Sequence, residues 1–270
     1  MRPGPVVSCR GSPPVAANPA TLPYGAVPAT PAIAPGGVTN AASGISGVVP
    51  AAWISIYGAD LATSTVAASA ANMVNGSLPS SLGGATVTIN GKPAFFDFAS
   101  PSQINVEAPA DTATGPVNVV VTNSTGSITM SVNLQPVLPG IFTLDDYVLA
   151  VRPKDSVIIN GTGAPDSGYA TAAAAKAGDV LEIFATGLGA TAAAVAPGLV
   201  FSGNYPTTAT PAVTIGGVPA AVSYSGLIGA ALDQINLTVP ASLAPGTYPV
   251  VLTQNGVPSP ATAMLKIAAN

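Results

Sequence analysis

VTINGKPAFFDFASPSQINVEAP, residues 87–109, decides the fold, because the chain returns to it later in altered form. Residues 213–220, VTIGGVPA, repeat its opening, and residues 234–240, QINLTVP, repeat its close at residues 103–109. The likeness extends outward. Ile54-Ser55-Ile56-Tyr57-Gly58 answers Leu181-Glu182-Ile183-Phe184-Ala185 at a shift of 127 positions, and Gln103 answers Gln234 at a shift of 131. The chain is a tandem duplication with a few residues inserted between matching blocks. A unit of that length is a whole domain, far above the roughly 20–50 residues of solenoid or propeller repeats.

Within each unit the apolar residues alternate, and no helix-period segment of useful length interrupts them. Ile104, Val106 and Ala108 share one face of a strand, Asn90-Gly91 marks a two-residue hairpin, and Pro109 ends the run. Strands are expected at residues 53–57, 85–89, 103–108, 117–122 and 127–134, with residues 123–126 as a turn. Phe95 to Phe98 should supply aromatic core residues. About seven short strands in about 100 residues indicate an antiparallel β-sandwich. The second unit gives strands near residues 147–152, 156–159, 180–185, 212–215, 220–224, 232–239, 246–253 and 259–267. Its alanine run, residues 172–175, is expected to make one helical turn before Gly178. The organisation is then an extended Pro-rich tail at residues 1–35, a first sandwich at 36–136 and a second at 137–270. Residues 136–140 leave little slack between them, and Ile141-Phe142-Thr143 should pack at the junction. Nine prolines in residues 1–35 suit a tether. Residues 32–39 could instead pair with a sheet edge, their own or a neighbour's.

Composition narrows the function classes. Charged residues are 7% of the chain, the net charge is −4, and the sequence pI is near 4.4. That offers no electrostatic footprint for nucleic acid or an anionic membrane, and little repulsion between copies. Histidine is absent and Cys9 is the single cysteine. His-based triads, His/Cys zinc sites and intrachain disulfides are thereby excluded. Cys9 reads as an incidental thiol, with an interchain cross-link or a lipid as alternatives. Mean hydropathy is +0.52, yet no window holds the roughly 20 uninterrupted apolar residues of a membrane-spanning helix. The first residues lack the apolar run of a secretory leader, so the expectation is either that the chain is not exported or that its natural start lies upstream.

Six ordered blocks carry a resemblance. They are Val38-Thr39-Asn40-Ala41-Ala42-Ser43, Ile54-Ser55-Ile56-Tyr57-Gly58, Leu78-Pro79-Ser80-Ser81-Leu82-Gly83-Gly84, Ser100-Pro101-Ser102-Gln103-Ile104-Asn105, Pro139-Gly140-Ile141-Phe142-Thr143 and Ala185-Thr186-Gly187-Leu188-Gly189. Together they resemble an uncharacterised C-terminal domain of predicted secreted acidobacterial proteins of the Solibacter type, whose halves are similar to IPT/TIG-type immunoglobulin-like domains. The likeness covers roughly residues 36–270. It implies an all-β fold of two tandem Ig-like sandwiches, an extracellular or cell-surface setting, and no catalytic residue or cofactor.

Candidate chemistry in the residues themselves is thin. Asp145, Asp146, Asp155 and Asp166 could offer oxygens to Ca²⁺, but without EF-hand or RTX spacing they read as solvated loop acids. Glu107 and Glu182, the only glutamates, fall in different domains, so paired-carboxylate hydrolysis has no basis; Glu107 is expected on the outward face of its strand. Trp53, Tyr57, Tyr205 and Tyr224 could form a sugar-stacking platform. Trp53 and Tyr57 share one strand face, Ile54 and Ile56 the other, and alternation alone does not choose which is core. Gly187-Leu188-Gly189 is too short for a dinucleotide fingerprint, and the Asn-x-Ser/Thr sites at Asn75, Asn123, Asn160 and Asn236 are what a Ser/Thr-rich chain gives by chance. The reading is a non-catalytic structural or adhesive module whose partners are protein or polysaccharide at the cell surface, or itself. A carbohydrate-binding module, and a self-assembling subunit that uses the tail as an added strand, are the alternatives.

Overall fold

A computed structural model describes residues 29–159 and 172–269. Among them every regular element is a strand, and no helix is long and apolar enough to cross a membrane. The tether reading of residues 1–28, and Asp166 with Asn160, lie outside the described residues.

The first sandwich contains β1 (Ala32–Asn40), β2 (Trp53–Ala59), β3 (Ala85–Ile89), β4 (Phe95–Ala99), β5 (Gln103–Glu107), β6 (Gly115–Asn123) and β7 (Gly126–Leu134). One sheet runs β1-β2-β5-β4 and ends on the short strand Val66–Ala67; the other runs β7-β6-β3 and ends on Ser81–Leu82. Alternation places Val38, Ile54, Ile56, Phe96, Ile104 and Val106 against Val87, Ile89, Val119, Val121 and Leu134, all buried. Each such side chain contributes about 1.5–3 kcal/mol by leaving water. Asn90 and Gly91, at φ 51° and 74°, form the primed turn of the expected hairpin, with Ile89 opposite Lys92. After Pro93 the chain leaves one sheet for the other: Lys92–Pro93 pairs with β3, and β4 pairs with β5.

The second sandwich contains β8 (Val180–Thr186), β9 (Ala212–Ile215), β10 (Val218–Gly229), β11 (Leu232–Thr238), β12 (Gly246–Gln254) and β13 (Met264–Ala268). Its core is the counterpart of the first, with Leu181, Ile183, Val213, Ile215, Ile235, Leu237, Leu252 and Leu265 buried. Here the sheet change occurs inside one strand. β10 pairs with β9 through Val218–Ala220 and with β11 from Ala221 onward, so backbone hydrogen bonding passes unbroken from one layer to the other. Ala150–Arg152 flanks β8 as β1 flanks β2, and Val157–Ile159 adds a further strand outside it. The chain is thus a tandem pair of immunoglobulin-like β-sandwiches.

Three local expectations need correction. The alanine run is extended: Ala172–Ala173 pairs with Val157–Ile159, and Ala175–Lys176 pairs in parallel with β13. Four alanines are too few to nucleate a helix, so ladder hydrogen bonds decide. The strand expected at 259–267 begins only at Met264, and the one expected at 220–224 continues to Gly229. Of the two readings of residues 32–39, pairing with a sheet edge of their own is the one the structure holds, with Ala32 opposite Ala59, Ile33 opposite Gly58 and Val38 opposite Ile56.

Candidate functional site at the domain junction

Asn40 is the last residue of β1 and is 1% exposed. Its Oδ1 accepts from the amides of Ala42 (2.8 Å) and Ser43 (2.9 Å), which shapes the turn leaving the strand. Its Nδ2 donates to the carbonyl of Leu138 at 2.8 Å and to that of Thr186 at 3.4 Å. One side chain thus ties the first sandwich to the connecting segment and to β8. Thr186, fully buried, does the reciprocal work from the other side. Its Oγ1 accepts from the Trp53 amide at 2.9 Å and donates to the Ala231 carbonyl at 2.8 Å. The Leu138 amide donates to the Gly187 carbonyl at 3.0 Å, and the Phe142 amide to that of Phe184 at 2.9 Å.

Close backbone approach explains the glycines of this region. Gly187 and Gly189 have φ of 86° and 85°, in the left-handed region that costs a side chain about 1–2 kcal/mol. A Cβ at Gly187 would collide with the Leu138 carbonyl, and one at Gly189 would stand 2.6 Å from the Pro136 carbonyl oxygen. The Gly187-Leu188-Gly189 run is a seat for the connecting segment. Three of the six sequence blocks, those around Asn40, Gly140 and Thr186, therefore converge on one place.

An apolar seal surrounds these hydrogen bonds. Trp53 (8% exposed), Leu78, Phe142, Phe184 and Ala231 form a cluster separate from both sandwich cores, flanked by Met73, Phe95, Leu149, Ile228 and Leu232. Ile54 and Ile56 face the core of the first sandwich, so Trp53 points out of it, and the second sandwich covers that side. A second contact lies farther along. The Leu78 amide donates to the Gly198 carbonyl at 2.7 Å, and the Val200 amide to that of Gly76 at 2.9 Å.

Glu107 stands directly opposite Trp53 and Phe95 in the sheet. It does face away from its own core, as its strand parity requires, but it is not solvated. It is 3% exposed, and its Oε2 has no hydrogen-bond partner among the described residues. Burial pushes its carboxyl up to about 7, against the opposing effect of a hydrogen bond from the Gly198 amide. Asp233, at the start of β11, is the second buried acid. Burial raises it to about 7, although the Leu188 amide donates to its Oδ2 at 3.3 Å. Gln254 Nε2 holds the same loop by donating to the carbonyls of Leu188 and Ala209, each at 3.0 Å.

The duplication also repeats a polar pair. Gln103 Nε2 donates to Asn105 Oδ1 at 2.9 Å, and Gln234 Nε2 donates to Asn236 Oδ1 at 2.6 Å. Ser55 Oγ joins the first pair at 2.9 Å. Glu182, its counterpart, is raised by burial and receives a hydrogen bond from Gln234. The Gln-Ile-Asn motif is a hydrogen-bonded rung on one sheet face of each sandwich.

The other sequence candidates do not assemble. Trp53 is buried in the junction, Tyr205 packs edge-to-face on Phe201 with ring centroids 5.0 Å apart, and the Tyr224 hydroxyl is buried. Asp155 is held by Arg152 Nη2 at 2.9 Å. Asp179 is engaged by Arg152 at 3.0 Å and Lys154 at 2.9 Å. Burial alone would raise the Asp179 carboxyl, and these hydrogen bonds with that of the Lys176 amide outweigh it, so its pKa falls below the ordinary value. Among the described residues no three His, Cys, Asp or Glu side chains are gathered as metal ligands. The sequence reading placed Ile141-Phe142-Thr143 at the junction, and Phe142 is buried there, but the polar residues that tie the junction together escaped it. Their signal was there, in motif positions held by Asn, Thr and Gly, where a sandwich core needs apolar residues.

Residues 51–136 match the model of the IPT/TIG domain, and the first sandwich is an Ig-like domain of that type. No curated protein matches the chain. Among solved structures, a Bacteroides ovatus protein described as the mixed-linkage glucan utilization locus SGBP-B is 16% identical, with a TM-score of 0.31; the match covers 82% of this chain and 42% of that one. SGBP-B from a complex xyloglucan utilization locus in Bacteroides uniformis is 13% identical, with a TM-score of 0.25 over 79% of this chain and 44% of that one. Domains 5–6 of the S-layer protein SbsC are 13% identical, with a TM-score of 0.28, covering 89% of this chain and 99% of that one. The chain spans less than half the length of the two SGBP-B proteins.

Proposed function

We propose that the chain is a non-catalytic extracellular module of structural or adhesive type: a stiff pair of Ig-like sandwiches that spaces or presents part of a larger surface protein. The observation that carries this reading is the junction. A flexible tether between domains needs no buried side-chain hydrogen bonds, whereas Asn40 and Thr186 commit theirs to the partner sandwich and the connecting segment. Hydrogen bonds of this kind contribute about 1 kcal/mol each when made and cost about 1–3 kcal/mol when one buried partner is left alone. The IPT/TIG match and the resemblance to C-terminal domains of exported acidobacterial proteins support the setting. The partners are protein or polysaccharide at the cell surface. Residues 32–40, one source of a strand to lend to a neighbour, are used within the chain.

Small-angle scattering on the full chain tests stiffness. The wild type is expected to fit one fixed arrangement of the two sandwiches. The double variant Asn40→Ala, Thr186→Val should show a longer maximum dimension and a more flexible profile. A wild-type profile as flexible as that of the double variant sinks the reading.

A further inference from the structure

We infer that the outer edge of β7 is a self-complementary interface through which a second copy of this chain pairs, antiparallel, about a two-fold axis at Thr129. Turn geometry gives the first step. Asn123 and Gly126 flank the two-residue turn joining β6 to β7, and the register continues without a bulge to Gly115 opposite Leu134. In such a ladder alternate residues exchange hydrogen bonds with the partner strand. Gly126, Ile128, Met130, Val132 and Leu134 therefore bond to β6, and Ser127, Thr129, Ser131 and Asn133 turn their N–H and C=O groups outward. The Val48 amide donating to the Asn133 carbonyl at 2.9 Å is an outward group of that set with its partner. Ser127, Thr129 and Ser131 have exposed side chains, and no backbone hydrogen bond among the described residues reaches them; Ala29 and Thr30 meet the turn end, at Thr125 and Gly126, and Val48 meets the far end at Asn133.

Other sheet margins among the described residues are short or guarded. Val66–Ala67, Ser81–Leu82 and Thr143–Leu144 are two residues long. The β1 edge carries Pro35, a register shift between Ile33 and Val38, and a turn that folds back so that the Gly47 amide donates to the Val38 carbonyl at 3.2 Å. These are the usual guards against strand addition. β7 has nine residues with no proline, no charge and no bulge.

The sequence of this edge suits its own copy. Antiparallel pairing about Thr129 sets Ser127 opposite Ser131 of the second copy and Thr129 opposite Thr129, so no charge opposes a like charge and about six backbone hydrogen bonds form. On the inner face Ile128 comes opposite Met130 of the second copy. Both are only partly buried at the margin of the first core, and pairing covers their open flanks. The contact involves the first sandwich alone and holds whether or not the junction is stiff.

Sedimentation analysis of the full chain, wild type and the single variants Thr129→Lys and Thr129→Glu, tests the interface. The wild type should dimerise. Each variant sets like charges face to face and should associate at least about tenfold more weakly. An equimolar mixture of the two should recover a heterodimer. Melting curves superimposing on the wild type check that folding is intact, since the Thr129 side chain is exposed. A wild type that stays monomeric at about 1 mM overturns the inference. So does a variant that dimerises like the wild type, or a mixture that fails to pair.

Discussion

A carboxylate under the second sandwich gives Glu107 a measurable signature. Its ordinary pKa of 4.5 rises to about 7 in the folded chain because burial penalises the charged form. Between those values the folded state holds a proton that the unfolded state has released. The contribution of Glu107 to stability is therefore fully present below about pH 4.5 and is lost as pH rises through about 7. Asp233, raised from 3.8 to about 7, acts in the same sense. Glu107→Gln removes one of these contributions. We expect thermal melts from pH 5 to pH 8 to lose stability less steeply in the variant, with a gap of about 2–3 kcal/mol at most. Parallel profiles would show that Glu107 stays charged in the fold. Position 107 also marks where alternation stops informing: its parity sets it outside its own core, and only the neighbouring sandwich determines that outside is buried.

At the scale of elements, most strands were legible because alternation and turn chemistry are local. Asn90-Gly91 named its hairpin from two residues, and the structure holds both at positive φ. Asn90→Ala keeps every strand contact but removes both a residue type that tolerates the left-handed region and the hydrogen bond that Asn90 Nδ2 donates to Asp111 Oδ2 at 2.9 Å. It is expected to lower stability by about 1 kcal/mol, read from urea midpoints with unchanged slope; no change would mean the turn relaxes into another type. The alanine run misled because helix propensity is local and strand pairing is not. Ala175 lies beside Ile267, about ninety residues away in sequence, and nothing near it announces that partner. The 12-residue β10 was read too short for a similar reason, since its two halves serve different sheets.

For the whole molecule, the duplication gave two sandwiches at once, yet the way they meet had to come from the structure. Thr186 and Gly187 carry no apolar pattern, and their purpose appears only when Leu138 and Asn40 arrive from elsewhere in the chain. If the junction couples the two sandwiches, the wild type should unfold calorimetrically in one transition, and Asn40→Ala with Thr186→Val should split it in two. Two wild-type transitions would show that the sandwiches melt independently. One further arrangement concerns tension. Val48, between β1 and β2, is paired in parallel with Leu134 at the end of the first sandwich, and in the second sandwich Ala175–Lys176, ahead of β8, lies parallel to β13. A pull that reaches these parallel neighbours slides them past one another and strains their hydrogen bonds together, where an antiparallel hairpin would unzip one bond at a time. The pairing that closes each sandwich thus sets some of its hydrogen bonds across the line of pull, a layout that suits the proposed spacer role.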